Sequence, residues 1–251
     1  ASRTARGRPV VNILPIDGDE KITVMLPVHE YREDHFIFMA TSNGTVKKTT
    51  LMDFSRPRTS GLIAIELEEG NRLIGAAITD GAKDVMLFGS RGKVIRFKES
   101  EVRAMGRTAR GVRGIKLKMF ETVISLIIPD SKASLLIASR NGYGKRSRLE
   151  DYSVIGRGGQ GMIGMKFSER NGDVVGAVQV SEGDEVILIS DRGTLVRIPA
   201  DEVSEQGRNT QGVRLINLAS DEQLVGMAPV DEPEDLVLID DTPPDEDAGS
   251  G

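Results

Sequence analysis

Apolar and polar positions along this chain fall into short runs, and the runs recur. Four segments, 35–48, 84–97, 134–147 and 185–198, align as an apolar run, a two-residue turn and a second run. The turns are Asn43-Gly44, Arg91-Gly92, Asn141-Gly142 and Arg192-Gly193, and their glycines stand 48, 50 and 51 residues apart. Glycine in the second place allows the positive φ of a primed hairpin turn. The pattern predicts four β-hairpins and shows no helical period.

A second anchor recurs between the hairpins. Gly7, Gly61, Gly111, Gly161 and Gly212 each open a strand-like stretch, at spacings of 54, 50, 50 and 51 residues. A third strand is predicted after each, over 22–28, 73–78, 123–128, 174–180 and 224–230. One unit is therefore about four strands in about 50 residues, the signature of a propeller blade. A lone four-stranded sheet leaves both faces uncovered, and blades set around an axis cover each other. A linear β-solenoid and a pair of β-sandwiches are the alternatives, and the unit is long for one solenoid coil. The expected fold is all-β, a propeller-like disc of four-stranded blades. The repeat begins at the second anchor, without a hairpin before it, and ends in the apolar run 235–240 with no turn after it. The expectation is a piece of a longer protein with one hairpin upstream, divided into a repeat domain over 1–230 and an acidic tail over 231–251.

Charge changes the picture. The net charge is −5, but nine of the 38 acidic residues lie in 231–251, where no basic residue stands, leaving 29 acids against 33 Lys and Arg elsewhere. Residues 101–150 hold 11 basic and 4 acidic residues. A basic body with an acidic tail points to a polyanion partner and a built-in competitor for it; a solubilising end is the plainer reading of the tail. There is no cysteine, which removes disulfides and thiolate chemistry and fits a reducing cytoplasm. No apolar run approaches the roughly 18 residues of a membrane span, so no membrane partner is expected.

The basic residues are in phase with the repeat. Lys48, Arg96, Arg146 and Arg197 each stand four residues after a turn glycine. Lys47, Lys93, Lys98, Lys145 and Arg148 lie nearby, Arg91 sits in a turn, and Arg113 follows a strand-opening glycine. The loops before those glycines add Arg56, Arg58, Arg103, Arg107, Arg110, Arg157 and Arg208. Equivalent positions in a ring of blades share a radius, so these residues are the candidate DNA-binding set, a charged band suited to a phosphate backbone. Lysines that guard exposed strand edges would explain some of the pattern, but not loops dominated by arginine. Aromatics are 4% of the chain and Trp is absent, which disfavours stacking on single-stranded bases. No helix is available to read a major groove, so duplex binding should be independent of sequence. A protein-docking propeller with an incidental charge pattern is the alternative.

Other motifs are weak. Gly156-Arg157-Gly158-Gly159-Gln160-Gly161 matches G-x-G-x-x-G, but a dinucleotide site needs a helix after it, and a strand-like stretch follows. His29 and His35 are too few for most metal cages. No nucleophile elbow or paired-carboxylate pattern stands out, and the chain is not expected to be an enzyme by itself.

Several long motifs occur in order: residues 40–49 (Ala-Thr-Ser-Asn-Gly-Thr-Val-Lys-Lys-Thr), 92–100, 102–106, 141–146 and Gly207-Arg208-Asn209-Thr210-Gln211-Gly212-Val213. Together they resemble the C-terminal domain of bacterial DNA gyrase A, over nearly the whole chain. The corresponding protein of topoisomerase IV carries a related domain. The resemblance implies a β-pinwheel with strands exchanged between blades, which wraps duplex DNA around its rim with positive handedness and presents it to the strand-passing core for negative supercoiling. It implies a bacterial, chromosome-associated, cytoplasmic setting, with the rest of gyrase A, and gyrase B, as partners. It places the cleaving tyrosine and the ATP and Mg sites outside this chain, and no cofactor within it. The signature box Q-R-R-G-G-[K/R]-G is not intact here. Residues 155–161 keep four of its positions, Arg157, Gly158, Gly159 and Gly161, so the true box is expected upstream.

Overall fold

The computed structural model describes residues 20–230. Within them, four antiparallel hairpins form where the repeat predicts: β1 (Phe36–Thr41) with β2 (Thr45–Thr50), β4 (Asp84–Gly89) with β5 (Lys93–Lys98), β8 (Ser134–Ser139) with β9 (Tyr143–Arg148), and β12 (Glu185–Ser190) with β13 (Leu195–Pro199). A third strand flanks the first strand of each hairpin: β3 (Leu73–Thr79), β7 (Val123–Ile127), β11 (Val174–Val180) and β15 (Leu224–Pro229). The fourth strand comes from the next unit. The two-residue strands β6 (Val112–Arg113), β10 (Met162–Ile163) and β14 (Val213–Arg214) pair with β2, β5 and β9 of the preceding blade. This exchange makes three blades four-stranded, and the fourth is three-stranded among the described residues.

Two of the expected strands differ. Residues 22–28 and 61–67 carry no strand. Their counterparts in later units pair with the hairpin before them, and no hairpin precedes 22–28 or serves 61–67 among the described residues. The glycine-opened stretches that do pair shrink to two residues, after which the chain leaves the preceding blade for the inner edge of the next one.

The first strand of each hairpin is apolar over its central positions, and in β1, β4 and β8 both faces are covered there, whereas β12 leaves Ile189 exposed. Period-2 alternation divides β4: Val85 and Leu87 join Phe38, Ala40 and Val46 of the first blade, and Met86 and Phe88 join Leu135, Ile137 and Tyr143 of the third. In β8, Leu136 packs with Val180, Val186 and Ala200, and Ala138 with Leu188. The core therefore lies between blades, not within any one of them.

Strands β3, β7, β11 and β15 pack on one another in that order and form the hub. A Cβ at Gly75 would lie 3.1 Å from Cβ of Leu126, and one at Gly176 would lie 3.3 Å from Cβ of Met227. Absent side chains at these two points let neighbouring inner strands approach. With the hub at one edge of each sheet, the exchanged strands β6, β10 and β14 lie at the other, on the periphery.

A carbonyl at each hairpin tip fastens the exchange. The Gly44 carbonyl accepts N–H bonds from Gly114 (2.8 Å) and Ile115 (3.2 Å), that of Gly92 from Gly164 (2.8 Å) and Met165 (3.1 Å), and that of Gly142 from Leu215 (2.8 Å) and Ile216 (3.3 Å). Gly92 has φ +75°, and a Cβ there would fall 2.1 Å from the Met165 carbonyl oxygen.

Candidate nucleic-acid interface

After each of the last three hairpins a short 3₁₀ turn, Glu99–Glu101, Leu149–Asp151 or Ala200–Glu202, leads into a linker that crosses the outer side of the preceding blade. Met105 N–H bonds the Lys48 carbonyl at 2.8 Å, Ile155 N–H that of Arg96 at 2.9 Å, and Gln206 N–H that of Arg146 at 2.8 Å. The arginine-rich loops therefore run along the periphery, where the repeat argument expects them.

Exposure divides the eighteen candidate cations. Arg56, Arg58, Arg91, Lys98, Arg103, Arg110, Arg113, Arg148, Arg157 and Arg197 are exposed, whereas Lys93, Arg96, Arg107, Arg146 and Arg208 are half-buried. Lys47, Lys48 and Lys145 are buried, which corrects their assignment to a surface band, because an ammonium without solvent access cannot touch a phosphate.

The in-phase position has a structural cause. Lys48 Nζ lies 3.8 Å from the fully buried Glu99 carboxylate and donates to the Glu99 carbonyl at 3.3 Å. Arg96 pairs with Asp84 at 2.6 Å and donates to the carbonyls of Leu149 and Tyr152 at 3.2 and 3.0 Å. Arg146 pairs with Asp201 at 2.6 Å. Three of the four thus reach the 3₁₀ turn of the next unit and satisfy or neutralise groups there, while Arg197 pairs with Glu185 across its own hairpin. Burial pushes the Asp84 carboxyl up, but hydrogen bonds from Lys98 and Arg96, and their charges, outweigh it and hold the group below its ordinary value.

Lys47 and Lys145 sit one residue earlier in the repeat and share a second role. Lys47 Nζ donates to the carbonyls of Ala64 (2.6 Å) and Arg107. Lys145 Nζ donates to those of Gly207 (2.7 Å) and Arg208 (2.5 Å) and to Thr210 Oγ1 at 3.3 Å. Burial pulls both ammonium groups down to about 8, with Arg107 adding to the effect at Lys47; at Lys145 the charge of Asp151 opposes it and that of Arg208 adds to it. No sequence signal separates these two lysines from surface lysines except the neighbouring apolar positions.

Of the exposed set, Arg110 pairs with Glu66 (2.8 Å), Arg148 with Glu205 (2.5 Å), Lys98 with Asp84 (2.6 Å) and Arg91 with Asp173 (3.1 Å). Arg157 donates to the carbonyls of Glu101 and Arg113, each at 3.0 Å. Among the described residues, Arg56, Arg58, Lys93, Arg103, Arg107 and Arg113 close no ion pair. Arg58 and Arg107 also line one open cleft of about 830 Å³ with Thr59, Ser60 and Thr108. The loop 156–161 leads into strand β10 and not a helix, so it lacks the context of a dinucleotide site. No group of three His, Asp or Glu side chains among the described residues could hold a metal. The proposed acidic competitor, 231–251, lies outside the described residues.

The family model described as "DNA gyrase C-terminal domain, beta-propeller" matches residues 35–80, 83–130, 133–181 and 184–231, one match per hairpin unit. The chain belongs to the DNA gyrase C-terminal domain family. It is 55% identical to the DNA gyrase A protein of Salmonella typhimurium over 240 residues, covering 96% of this chain and 27% of that protein. It is 54% identical to the gyrase A protein of Pseudomonas aeruginosa, covering 93% and 30%. The chain thus spans less than a third of the length of these relatives. A solved gyrase A C-terminal domain superposes with TM-score 0.79 at 28% identity, covering 90% of this chain and 75% of that one. A topoisomerase IV C-terminal domain gives 0.84 at 26%, covering 89% and 70%. Fold does not separate the two kinds of domain, whereas the sequence matches place this one with gyrase.

Proposed function

We propose that this gyrase C-terminal domain binds duplex DNA without sequence preference and bends it around its periphery, presenting the wrapped segment to the rest of an ATP-dependent type II topoisomerase. The observation that carries the reading is a set of cations without acidic partners: Arg103, Arg107 and Arg113 on the linker and exchanged strand along the outer edge of the first blade, Lys93 at the start of β5, and Arg56 and Arg58 on an exposed loop, with Arg58 sharing a cleft with Arg107. Cations already neutralised by carboxylates have less to offer a polyanion, whereas unpaired ones can release counterions from DNA phosphates. The partners are duplex DNA, the remainder of gyrase A, and gyrase B. Cleavage and ATP hydrolysis, with its Mg ion, belong to those other parts, in a bacterial cytoplasm.

The test is the linking number of a relaxed plasmid closed by a relaxing topoisomerase in the presence of this chain. Wrapping with positive handedness shifts the topoisomer distribution in the positive direction, and reversal of Arg56, Arg58, Arg103 and Arg113 to Glu abolishes the shift. An unshifted distribution with the unaltered chain, under salt conditions where it binds DNA, overturns wrapping. Binding to a protein partner that survives high salt, with duplex bound no better than other polyanions, favours the docking-propeller reading instead.

A further inference from the structure

Three linkers share the pattern Gly-Arg followed by three residues and the strand-opening glycine: 106–111, 156–161 and 207–212. The structure treats them in two ways. In the first and third, the buried ammonium of Lys47 or Lys145 draws backbone carbonyls inward: Arg107 in one loop, Gly207 and Arg208 in the other. Across a trans peptide the following N–H points the opposite way. The amides of Thr108, Arg208 and Asn209 therefore face away from the buried ammonium. Thr108 and Asn209 are exposed, and none of the three N–H groups has a hydrogen-bond partner among the described residues.

The middle linker is built otherwise. Ile95 occupies the repeat position of Lys47 and Lys145. The amide of Arg157 bonds Glu101 Oε2 at 3.0 Å, that of Gly158 bonds the Gly114 carbonyl at 2.6 Å, and the Arg157 guanidinium is turned back onto protein carbonyls. Its amide donors are consumed within the fold; the guanidinium does not set it apart, since Arg208 also donates to a carbonyl, that of Ile163, at 3.3 Å.

We propose that the linkers at Arg107-Thr108 and Arg208-Asn209 are phosphate cradles over a buried lysine, the first offering the outward amide of Thr108 and the second those of Arg208 and Asn209, each with its arginine, and that in the bound duplex they hold backbone phosphodiesters at alternate blades. Successive outward amides form a concave anion site, and charge-assisted bonds to phosphate oxygens are the strong kind. The lysine acts as a positioning residue, since it never reaches the anion and instead orients the peptides that do. The proposal rests on the DNA-binding reading above, but it concerns where phosphates sit and not whether DNA binds.

The test is amide resonance mapping of the isotope-labelled chain, titrated first with inorganic phosphate and then with a short duplex. Both titrants should shift the Thr108, Arg208 and Asn209 amides, while Arg157 and Gly158 stay in place. In a Lys47→Ile, Lys145→Ile variant these shifts should vanish, and the log–log salt dependence of duplex binding should flatten by roughly 0.9 per cradle. If that variant fails to fold, Asn209→Pro removes one donor at an exposed site and should lower duplex affinity, and an unchanged affinity overturns that cradle. Duplex binding that leaves the three amides unmoved, or moves Arg157 and Gly158 equally, overturns the cradles and leaves DNA binding standing. Shifts with inorganic phosphate but none with duplex overturn the phosphodiester assignment in favour of a free anion. No duplex binding at all overturns the proposed function itself.

Discussion

The guanidinium of Arg96 closes on the carboxylate of Asp84 at 2.6 Å, and the same group donates to two carbonyls of the following unit. Asp84 stands on the first strand of the hairpin and Arg96 on the second, so this pair fixes the outer strand and the blade-to-blade junction together. Removing the arginine strands two carbonyls and leaves the half-buried carboxylate with Lys98 as its remaining cation. Arg96→Ala is expected to lower unfolding free energy by about 3 kcal/mol, read as a lower midpoint in urea with unchanged slope.

Acid should act through the same carboxylate. Its folded value lies below its ordinary one, so its contribution is present above the unfolded carboxyl value and is lost as pH falls through the folded value. Urea midpoints measured from pH 6 down to pH 3 should converge for the unaltered chain and Arg96→Ala.

The buried lysines show linkage of the same sign in a higher pH window. Their folded values, about 8, lie below the 10.5 of a free lysine, so the unfolded chain binds more protons between those limits. Stability should therefore rise from about pH 8 to 10.5 through these groups. The charges of Asp53 and Arg107 act on Lys47, and those of Asp151 and Arg208 on Lys145. Lys47→Met should reduce the rise, seen in denaturation series across the window.

Charge reversal separates structural cations from surface ones. Lys48→Glu sets a second carboxylate beside the buried Glu99 and should abolish folding or cost at least about 3 kcal/mol. Arg103→Ala touches no partner, so stability should stay within about 0.5 kcal/mol while the salt slope of duplex binding falls by roughly 0.9. Circular dichroism and salt-dependent binding distinguish the two.

Two hairpin glycines make a matched pair. Gly92→Ala meets both a positive φ and a backbone oxygen 2.1 Å from the new methyl, for an expected loss of about 2–4 kcal/mol. Gly193 has φ +83°, but a methyl there would meet no atom within 4 Å, so Gly193→Ala should cost only about 1–2 kcal/mol. Thermal unfolding of both variants checks the difference.

Hairpins, their turn glycines and the 50-residue period were legible in the amino-acid sequence because each rests on a local rule: period-2 alternation, or a positive φ that only glycine adopts cheaply. The arginine-bearing linkers were legible as well, since loops between strands run over the surface. What the sequence did not disclose was the inward or outward fate of each cation. Lys47 and Arg103 look equally suited to a rim when read in line, yet Lys47 points at carbonyls contributed 17 and 60 residues away. The regularity of Lys48, Arg96 and Arg146 was real, but its cause is the junction with the next blade, which exists only once strands are exchanged. Burial depends on which neighbour covers a face, and a repeat read along one chain carries no record of that neighbour. The sequence by itself determined where the strands turn and how often; the packing of blade against blade decided which charges serve the fold and which remain for a partner.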